Sequence, residues 1–430
     1  MIAKRTELDW LLGFSDATRG VGWNARSNPS LEWNLRRTRV LLDLMAAPDR
    51  RLAIVLVAGT KGKGSTAALL ASLLAASGVR AGLYTKPHLQ SYRERIRVDG
   101  EIISEADLAG RIAQLRPHVA ALRRLVPAAG QPTTFELTTA LALTHFASAG
   151  CTVAVVEVGL GGRFDATNAT DPHVSIVTPI SHDHTRELGT SLRQIASEKA
   201  GVLRPGRIAI VARQDAAAAA AIRTAARAVA AIHREITPLS GPVARRVGLA
   251  LRGAHQRQNA ALAIAASRAL AEHGVPFREP AISRGMRQVR WPGRFEVVPG
   301  PPPIVLDGAH NDGSAEALAL AIRAELGRPV RLIIGLMRDK DARAVAGALA
   351  PIASAVYVTR PDSPRAAEPA AVARLFRRGP VRAFDDLASA LHAARADARS
   401  GETICVTGSL ALVGQARTLL GLPVPERLWD

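Results

Sequence analysis

Cysteine is almost missing from this sequence of 430 residues: Cys151 and Cys405 are the only two, and they lie far apart. They cannot supply a framework of bridges. Both adjoin apolar, strand-like runs, so buried free thiols and a reducing, cytoplasmic setting are expected. Aromatic residues amount to 4%, too few for a platform that stacks nucleic-acid bases. No run of eighteen uncharged apolar residues occurs, which argues against a membrane-spanning helix. The start, Met1 to Glu7, is basic but runs into no apolar stretch, so a secretory signal is not expected.

Acidic residues are outnumbered: 37 Asp and Glu face 56 Lys and Arg, a net charge of +19. The basic residues are overwhelmingly arginine, interleaved with Ala and Leu along helical patterns rather than gathered in blocks. Such a pattern reads as solvated helix faces, not as a nucleic-acid footprint. It does favour anionic small molecules. Lysine is scarce, and three lysines lie in or beside glycine-rich or metal-candidate segments. With 48% apolar and 22% charged residues, the chain is that of a globular protein, long enough for two domains.

The first half alternates apolar β-branched runs with longer helical patterns, the signature of an α/β parallel sheet. Strands are predicted at Leu52–Ala58, Val153–Val158, Val174–Thr178 and Arg207–Ala212, and helices near Glu105–Val126, Thr133–Ala149 and Ser191–Val202. The alanine run from Ala216 to Ala221 reads as helix. Pro299 to Pro303 holds four prolines in five residues, which excludes helix and central strand and marks the expected domain boundary. Domains of residues 1–298 and 299–430 follow. Beyond it strands recur at Ile304–Leu306, Val330–Gly335, Ala355–Thr359, Val381–Phe384 and Thr403–Thr407.

Between a strand and a helix stands Gly59-Thr60-Lys61-Gly62-Lys63-Gly64-Ser65-Thr66. Small residues let backbone N–H groups close round phosphate, and the helix N-terminus adds positive potential. Lys63 can reach β- and γ-phosphates, and the Ser65 hydroxyl can face Mg²⁺. The generic phosphate-loop pattern is not met, because Val57 stands where its first Gly belongs and Gly64 replaces the hydroxyl residue. Glu157, at a strand end and followed by Gly159, Gly161 and Gly162, supplies an oxygen suited to Mg²⁺. Ser181-His182-Asp183-His184 follows the next strand, and Lys199 lies in a helix of small and apolar residues.

Together these segments resemble the folylpolyglutamate synthase and dihydrofolate synthase family of the Mur ligase superfamily. The matching stretches are GTKGKGS (59–65), KPHLQSYRERIRVDG (86–100), TTFELTTALA (133–142), EVGLGGRFDATN (157–168), DHTRELG (183–189), SEKAGV (197–202), GAHQRQNA (253–260), WPGRFE (291–296), DGAHN (307–311) and DKD (339–341). The resemblance implies a large N-terminal doubly wound P-loop domain and a smaller C-terminal α/β domain that binds glutamate, with the site in the cleft between them. It implies an ATP- and Mg²⁺-dependent ligase. ATP phosphorylates the carboxylate of tetrahydrofolate or dihydropteroate, and the amine of L-glutamate attacks the acyl phosphate. The chemistry rests on positioning and electrostatic stabilisation of a transferring phosphoryl group.

By matching positions, ATP is expected at Gly59, Thr60, Gly62, Lys63, Gly64, Ser65, Asn259, Arg294 and Asp307. Metal is expected at Ser65, Glu157, His184 and Lys199, the last carbamylated and holding a second Mg²⁺. Lys63, Lys199, Asp307 and His310 are the implied catalytic set, with Asp307 reaching ATP and His310 reaching glutamate. Thr133, Thr134, Phe135, Glu136, Arg163, Phe164 and Asp165 fall where relatives hold the pterin substrate. A monomer without nucleic-acid or membrane partners is expected. Three positions depart from the family pattern: Lys86 replaces a metal-ligating Ser, Asp312 replaces Pro, and Lys61 replaces a frequent Asn. An ammonium has no lone pair for a metal, so a direct phosphate contact is expected of Lys86. The competing readings are a Mur-type ligase for a non-folate carboxylate, and a nucleotide-binding protein without catalysis.

Overall fold

The computed structural model describes residues 6–16 and 22–429. Eight strands form the first sheet: β1 (Ala53–Ala58), β2 (Ala81–Tyr84), β3 (Ile96–Val98), β4 (Glu101–Ile102), β5 (Val153–Glu157), β6 (Val174–Val177), β7 (Ile208–Ala212) and β8 (Ile232–Ile236). Their order is β4-β3-β2-β5-β1-β6-β7-β8. The run Ala53–Ala58 is apolar on both faces, so it belongs mid-sheet with helices on either side. It pairs in parallel with β5 and with β6. The chain builds outward from β1 first to one side and then to the other. That reversal opens a crevice beyond the carboxyl ends of β1, β5 and β6, where open α/β sheets bind ligands.

The helix Lys63–Ala76 has almost no exposed face. It is sandwiched between the sheet and the helices Gln256–Ala271 and Ala281–Gln288, which explains its lack of an amphipathic stripe. Gly285 permits the closest approach: a Cβ there would stand 3.0 Å from Leu73 Cα. Ser72 Oγ seals the contact by donating to Gly285 O at 2.9 Å. On the opposite face of the sheet the helix Thr134–Ser148 is buried beneath Glu32–Leu44 and Glu105–Leu125.

The second sheet contains β9 (Glu296–Val298), β10 (Ile304–Leu306), β11 (Val330–Ile334), β12 (Ala353–Val358), β13 (Val381–Ala383) and β14 (Ile404–Thr407), in the order β13-β12-β11-β14-β10-β9. All neighbours are parallel except β9 and β10. The Pro299–Pro303 run is therefore the turn of the β9–β10 hairpin rather than a linker. The second sheet begins at Glu296, before the boundary expected at 299. Proline suits a hairpin turn as well as a linker, and a three-residue edge strand leaves too little alternation to be read.

Residues 425–429 pack back on the first domain. Buried Arg97 donates to Pro425 O at 2.7 Å and to Glu426 O at 3.2 Å. Ile102 N donates to Glu426 O at 2.9 Å, and Leu428 and Trp429 join the apolar core beneath β2. Among the described residues no helix is long and apolar enough to cross a membrane.

Candidate active site

The phosphate loop leaves β1 and enters the helix Lys63–Ala76 through Gly62, whose φ is 85°. Gly59 (φ 135°) is pressed against Thr178 and Gly62 against Asn259, so neither position has room for a side chain. Thr60 Oγ1 exchanges hydrogen bonds with Ser181, at 3.1 Å to its carbonyl and 3.2 Å from its N–H. The loop is thus tied to the segment that follows β6. Lys63 curls over the loop and donates to Gly59 O and Thr60 O, at 3.2 and 3.3 Å. Gly64 brings the helix against Glu157 and the indole of Trp291. Ser65 is buried in the first turn, and Asn259 is buried on the facing helix, donating to Gln256 Oε1 at 2.8 Å.

Glu157 closes β5 opposite Val57 and is 5% exposed. Burial raises its pKa; Lys63, the Lys86 N–H, the Lys86 ammonium and Arg294 oppose that rise. Lys86 N donates to Glu157 Oε2 at 3.2 Å. Lys199 is equally buried and donates from Nζ to Gly59 O at 2.9 Å, so it reaches the phosphate loop from the far side. Its pKa is pushed down to about 7 by burial and by Lys63 and Lys86, against Asp183. Lys86 falls to about 8 for the same first two reasons, burial and Lys63. Three lysines, of which only Lys199 is fully buried, thus crowd Glu157, with Asp165 and Asp183 as further acidic neighbours.

His184 sits at φ 51° before the short helix Thr185–Leu188, its ring 39% exposed and 4.0 Å from both Asp183 Oδ1 and Glu187 Oε2. Its pKa is lowered by desolvation and by nearby lysines, so the imidazole is neutral and free to ligate. Among the described residues no three His, Cys, Asp or Glu side chains gather into a metal cluster. Of the expected set Ser65, Glu157, His184 and Lys199, only two are of those types. Phosphate oxygens and a modified Lys199 would have to complete any coordination shell.

The second domain faces this pocket with the turn after β10. Asp307 is buried and accepts from Phe295 N at 2.8 Å and Ala309 N at 2.9 Å. Burial raises its pKa, against Arg294, which is also attracted to Glu157. His310 Nδ1 bonds Gly308 O at 2.7 Å, and burial with Lys340 lowers its pKa to about 4. Lys61 packs on Gly313 across the gap. Asp312, where proline is usual, simply opens the helix Asp312–Leu326 behind the N-cap Asn311 and caps Gly313 N.

A contact that the sequence did not disclose joins the two halves. Asp183 accepts from Lys340 Nζ at 2.8 Å and from Asn311 Nδ2 at 3.0 Å. Both charged side chains are 11% exposed. Although burial opposes it, Lys340 holds the Asp183 carboxyl well below the usual range. Residues 183, 311 and 340 are distant in sequence, so only the fold reveals the clasp.

Of the expected acid-binding residues, Phe135 and Asp165 lie beside Lys86 and the others are engaged elsewhere. Phe135 stacks on Tyr84 with centroids 6.0 Å apart, and Lys86 Nζ lies 5.9 Å from its ring centre. Thr133 caps the helix Thr134–Ser148, and Thr134 Oγ1 donates to Leu11 O at 2.8 Å. Glu136 is turned away: Arg37 engages both its oxygens at 2.7 Å, in a pair 1% exposed on each side. No local pattern marked Arg37. Asp165 braces its loop by accepting from Leu160 N and Thr167 N, at 2.8 and 3.0 Å. Arg163 pairs with Glu198 at 3.1 Å, and Phe164 O accepts from Asn34 at 3.4 Å.

A phosphate loop at a sheet switch point, faced by a second α/β domain, is the arrangement of Mur ligases. The Mur ligase middle domain matches residues 57–267, and the Mur ligase glutamate ligase domain matches 293–410. A dihydrofolate synthase/folylpolyglutamate synthase of Mycobacterium tuberculosis is 35% identical over 441 residues, covering 90% of each chain. The chain belongs to the folylpolyglutamate synthase/dihydrofolate synthase family. A probable bifunctional folylpolyglutamate synthase/dihydropteroate synthase of Haloferax volcanii is 37% identical over 88% of this chain. The chain spans about half the length of that relative, 47%. Among solved structures, Escherichia coli FolC in complex with DHPP and ADP superposes with a TM-score of 0.83 at 30% identity, covering 97% of this chain and 98% of the other.

Proposed function

We propose that the chain activates the carboxylate of a folate-type acid with ATP and joins it to L-glutamate. The observation that carries this reading is the convergence of Lys63, Lys86 and Lys199 on the loop at the end of β1, between the aromatic ring of Phe135 and a second domain docked by Asp183. ATP lies on residues 59–65 with Asn259, Arg294 and Asp307 about it. The acid lies along Thr133–Glu136 and Arg163–Asp165, with Phe135 offering its ring and Glu136 holding the wall through Arg37. Glutamate lies beside His310. A carboxylate oxygen bonds to the γ-phosphorus as the bridge to ADP breaks. The glutamate nitrogen then bonds to the acyl carbon, phosphate departs, and the amine proton is released. Lys63 stabilises the transferring charge without covalent participation.

Magnesium fits this site: Glu157 and Ser65 offer oxygen beside the loop, and His184 a neutral nitrogen. When bound, the ion neutralises phosphate charge. Lys199 has the buried, easily deprotonated amine that carbamate formation requires. Two buried free thiols suit a reducing compartment. The test is ATP-dependent glutamate ligation with dihydropteroate and tetrahydrofolate side by side, products being weighed by mass spectrometry. A glutamyl product with either supports the reading. ATP-dependent ligation only with a non-folate acid would move the chain to another Mur-type substrate.

A further inference from the structure

The chain is poor in lysine, yet Lys61, Lys63, Lys86, Lys199 and Lys340 all lie at this one site. Lys63 and Lys199 are satisfied by loop carbonyls, and Lys340 by Asp183. Lys86 differs. Its backbone N–H is fixed on Glu157 Oε2 at 3.2 Å, and its half-buried side chain runs on to place the ammonium above Phe135. Among the described residues that ammonium has neither a hydrogen-bond acceptor nor a carboxylate partner. Its electrostatic neighbours are Lys63 and Arg95, which repel it, and Glu157 and Asp165, which attract it without pairing. A cation drawn partly out of water beside a like charge is costly until an anion meets it.

Position says which anion. Glu157 and Lys63 mark the phosphate side of Lys86, while Phe135 and Asp165 mark the acid side. Phosphate already has Lys63 and the loop amides. The aromatic face beneath Lys86 belongs to the wall along which the organic acid lies. Resting on the function proposed above, we infer that Lys86 receives the reacting carboxylate of the acid and holds it against the γ-phosphate. This replaces the phosphate contact expected from sequence with a contact to the other reactant. It also gives the aromatic wall a reason to sit under a charge: the ring face stabilises the ammonium before substrate arrives, and the ammonium then fixes where the carboxylate stops.

The experiment is calorimetric binding to wild type, Lys86→Met and Lys86→Arg, with magnesium and a non-hydrolysable ATP analogue present. The probes are dihydropteroate, tetrahydrofolate, the descarboxy analogue of dihydropteroate, and the nucleotide analogue alone. A charge-assisted hydrogen bond lost to Met should weaken the reacting acid on the order of ten- to a hundredfold. The descarboxy analogue and the nucleotide should stay within about twofold, a factor worth well under 1 kcal/mol. Lys86→Arg should recover most of the loss, and equal melting temperatures certify the fold of each variant. Nucleotide affinity that falls as far as acid affinity would overturn the assignment in favour of a phosphate contact. Unchanged acid affinity in Lys86→Met overturns it outright. Wild-type protein that binds neither acid overturns the folate reading and this assignment together, so the two failures are told apart.

Discussion

Replacing Arg37 by methionine removes four hydrogen bonds from a place that water does not reach: two to Glu136, one to Ala129 O and one to Asn34, each 2.7 Å long. Glu136 is left as a carboxylate 1% exposed with its counter-ion gone. Removing one member of a buried pair costs about 3–5 kcal/mol, a large share of the roughly 5–15 kcal/mol that stabilises a typical fold. The loss should depend on pH with a definite sign. Without the guanidinium, burial raises the folded-state pKa of Glu136 above its unfolded value of about 4.3. An acid with a raised folded pKa favours the fold below the unfolded value and loses that advantage as pH rises through the folded one. The penalty should therefore be smaller near about pH 4, where the bonds to Ala129 O and Asn34 are still lost, and grow as pH rises through the folded-state pKa towards about pH 8. Urea unfolding of Arg37→Met and its parent at both pH values measures it. Arg37→Met/Glu136→Leu should recover most of the loss at pH 8, since no charge is left stranded. A variant within about 1 kcal/mol of its parent at both pH values would refute the reasoning, given that surface changes cost about 0.5 kcal/mol. Glu136→Gln offers a second check. If it raises the KM for the acid and leaves stability intact, Glu136 touches substrate, as its sequence position suggested.

Three further outcomes follow from the site. Lys63→Met should lower turnover by at least about a hundredfold, the scale for losing one donor to developing charge, with an unchanged melting curve. Gly62→Ala forces a Cβ into Asn259 at φ 85° and should abolish nucleotide binding in calorimetry; Gly206→Ala, at φ 66° with nothing near its Cβ, should leave it intact. Asp183→Ala leaves Lys340, at 11% exposure, with only Asp339 at 3.7 Å and releases the Asn311 side-chain N–H. It should loosen domain docking, seen as a larger radius of gyration in solution scattering, and reduce kcat/KM at least about tenfold, the factor for 1.4 kcal/mol.

Much of this could be read from the sequence because the strongest signals are local. Ala53–Ala58, Val153–Glu157, Val174–Val177 and Ile208–Ala212 are short apolar runs bounded by turns, and each was expected within a residue or two. The Gly59–Gly64 turn was legible as a strand-to-helix junction because glycine spacing there leaves few other uses. Strands β2, β3, β4, β8 and β9 escaped for identifiable reasons. Ile232–Ile236 is an exposed edge with two charges, β4 has two residues, and β9 has three. Long-range electrostatics escaped altogether. Arg37 with Glu136, Asp183 with Lys340, and Arg97 with the chain end join residues far apart in sequence, and no periodicity encodes which arginine meets which acid. The placement of Lys86 is intermediate: the residue stood out as an anomaly, but its position over Phe135, on which its inferred role rests, is visible only in the fold.

Attack of the acid carboxylate on ATP is tested most directly by oxygen labelling. The reacting carboxylate of dihydropteroate or tetrahydrofolate carries ¹⁸O, and the inorganic phosphate released with ATP, magnesium and L-glutamate is analysed by mass spectrometry. One labelled oxygen should appear in phosphate for every amide formed, because the carbon–oxygen bond breaks after oxygen has joined phosphorus. Amide formation with unlabelled phosphate, or ATP hydrolysis without any amide, would contradict it.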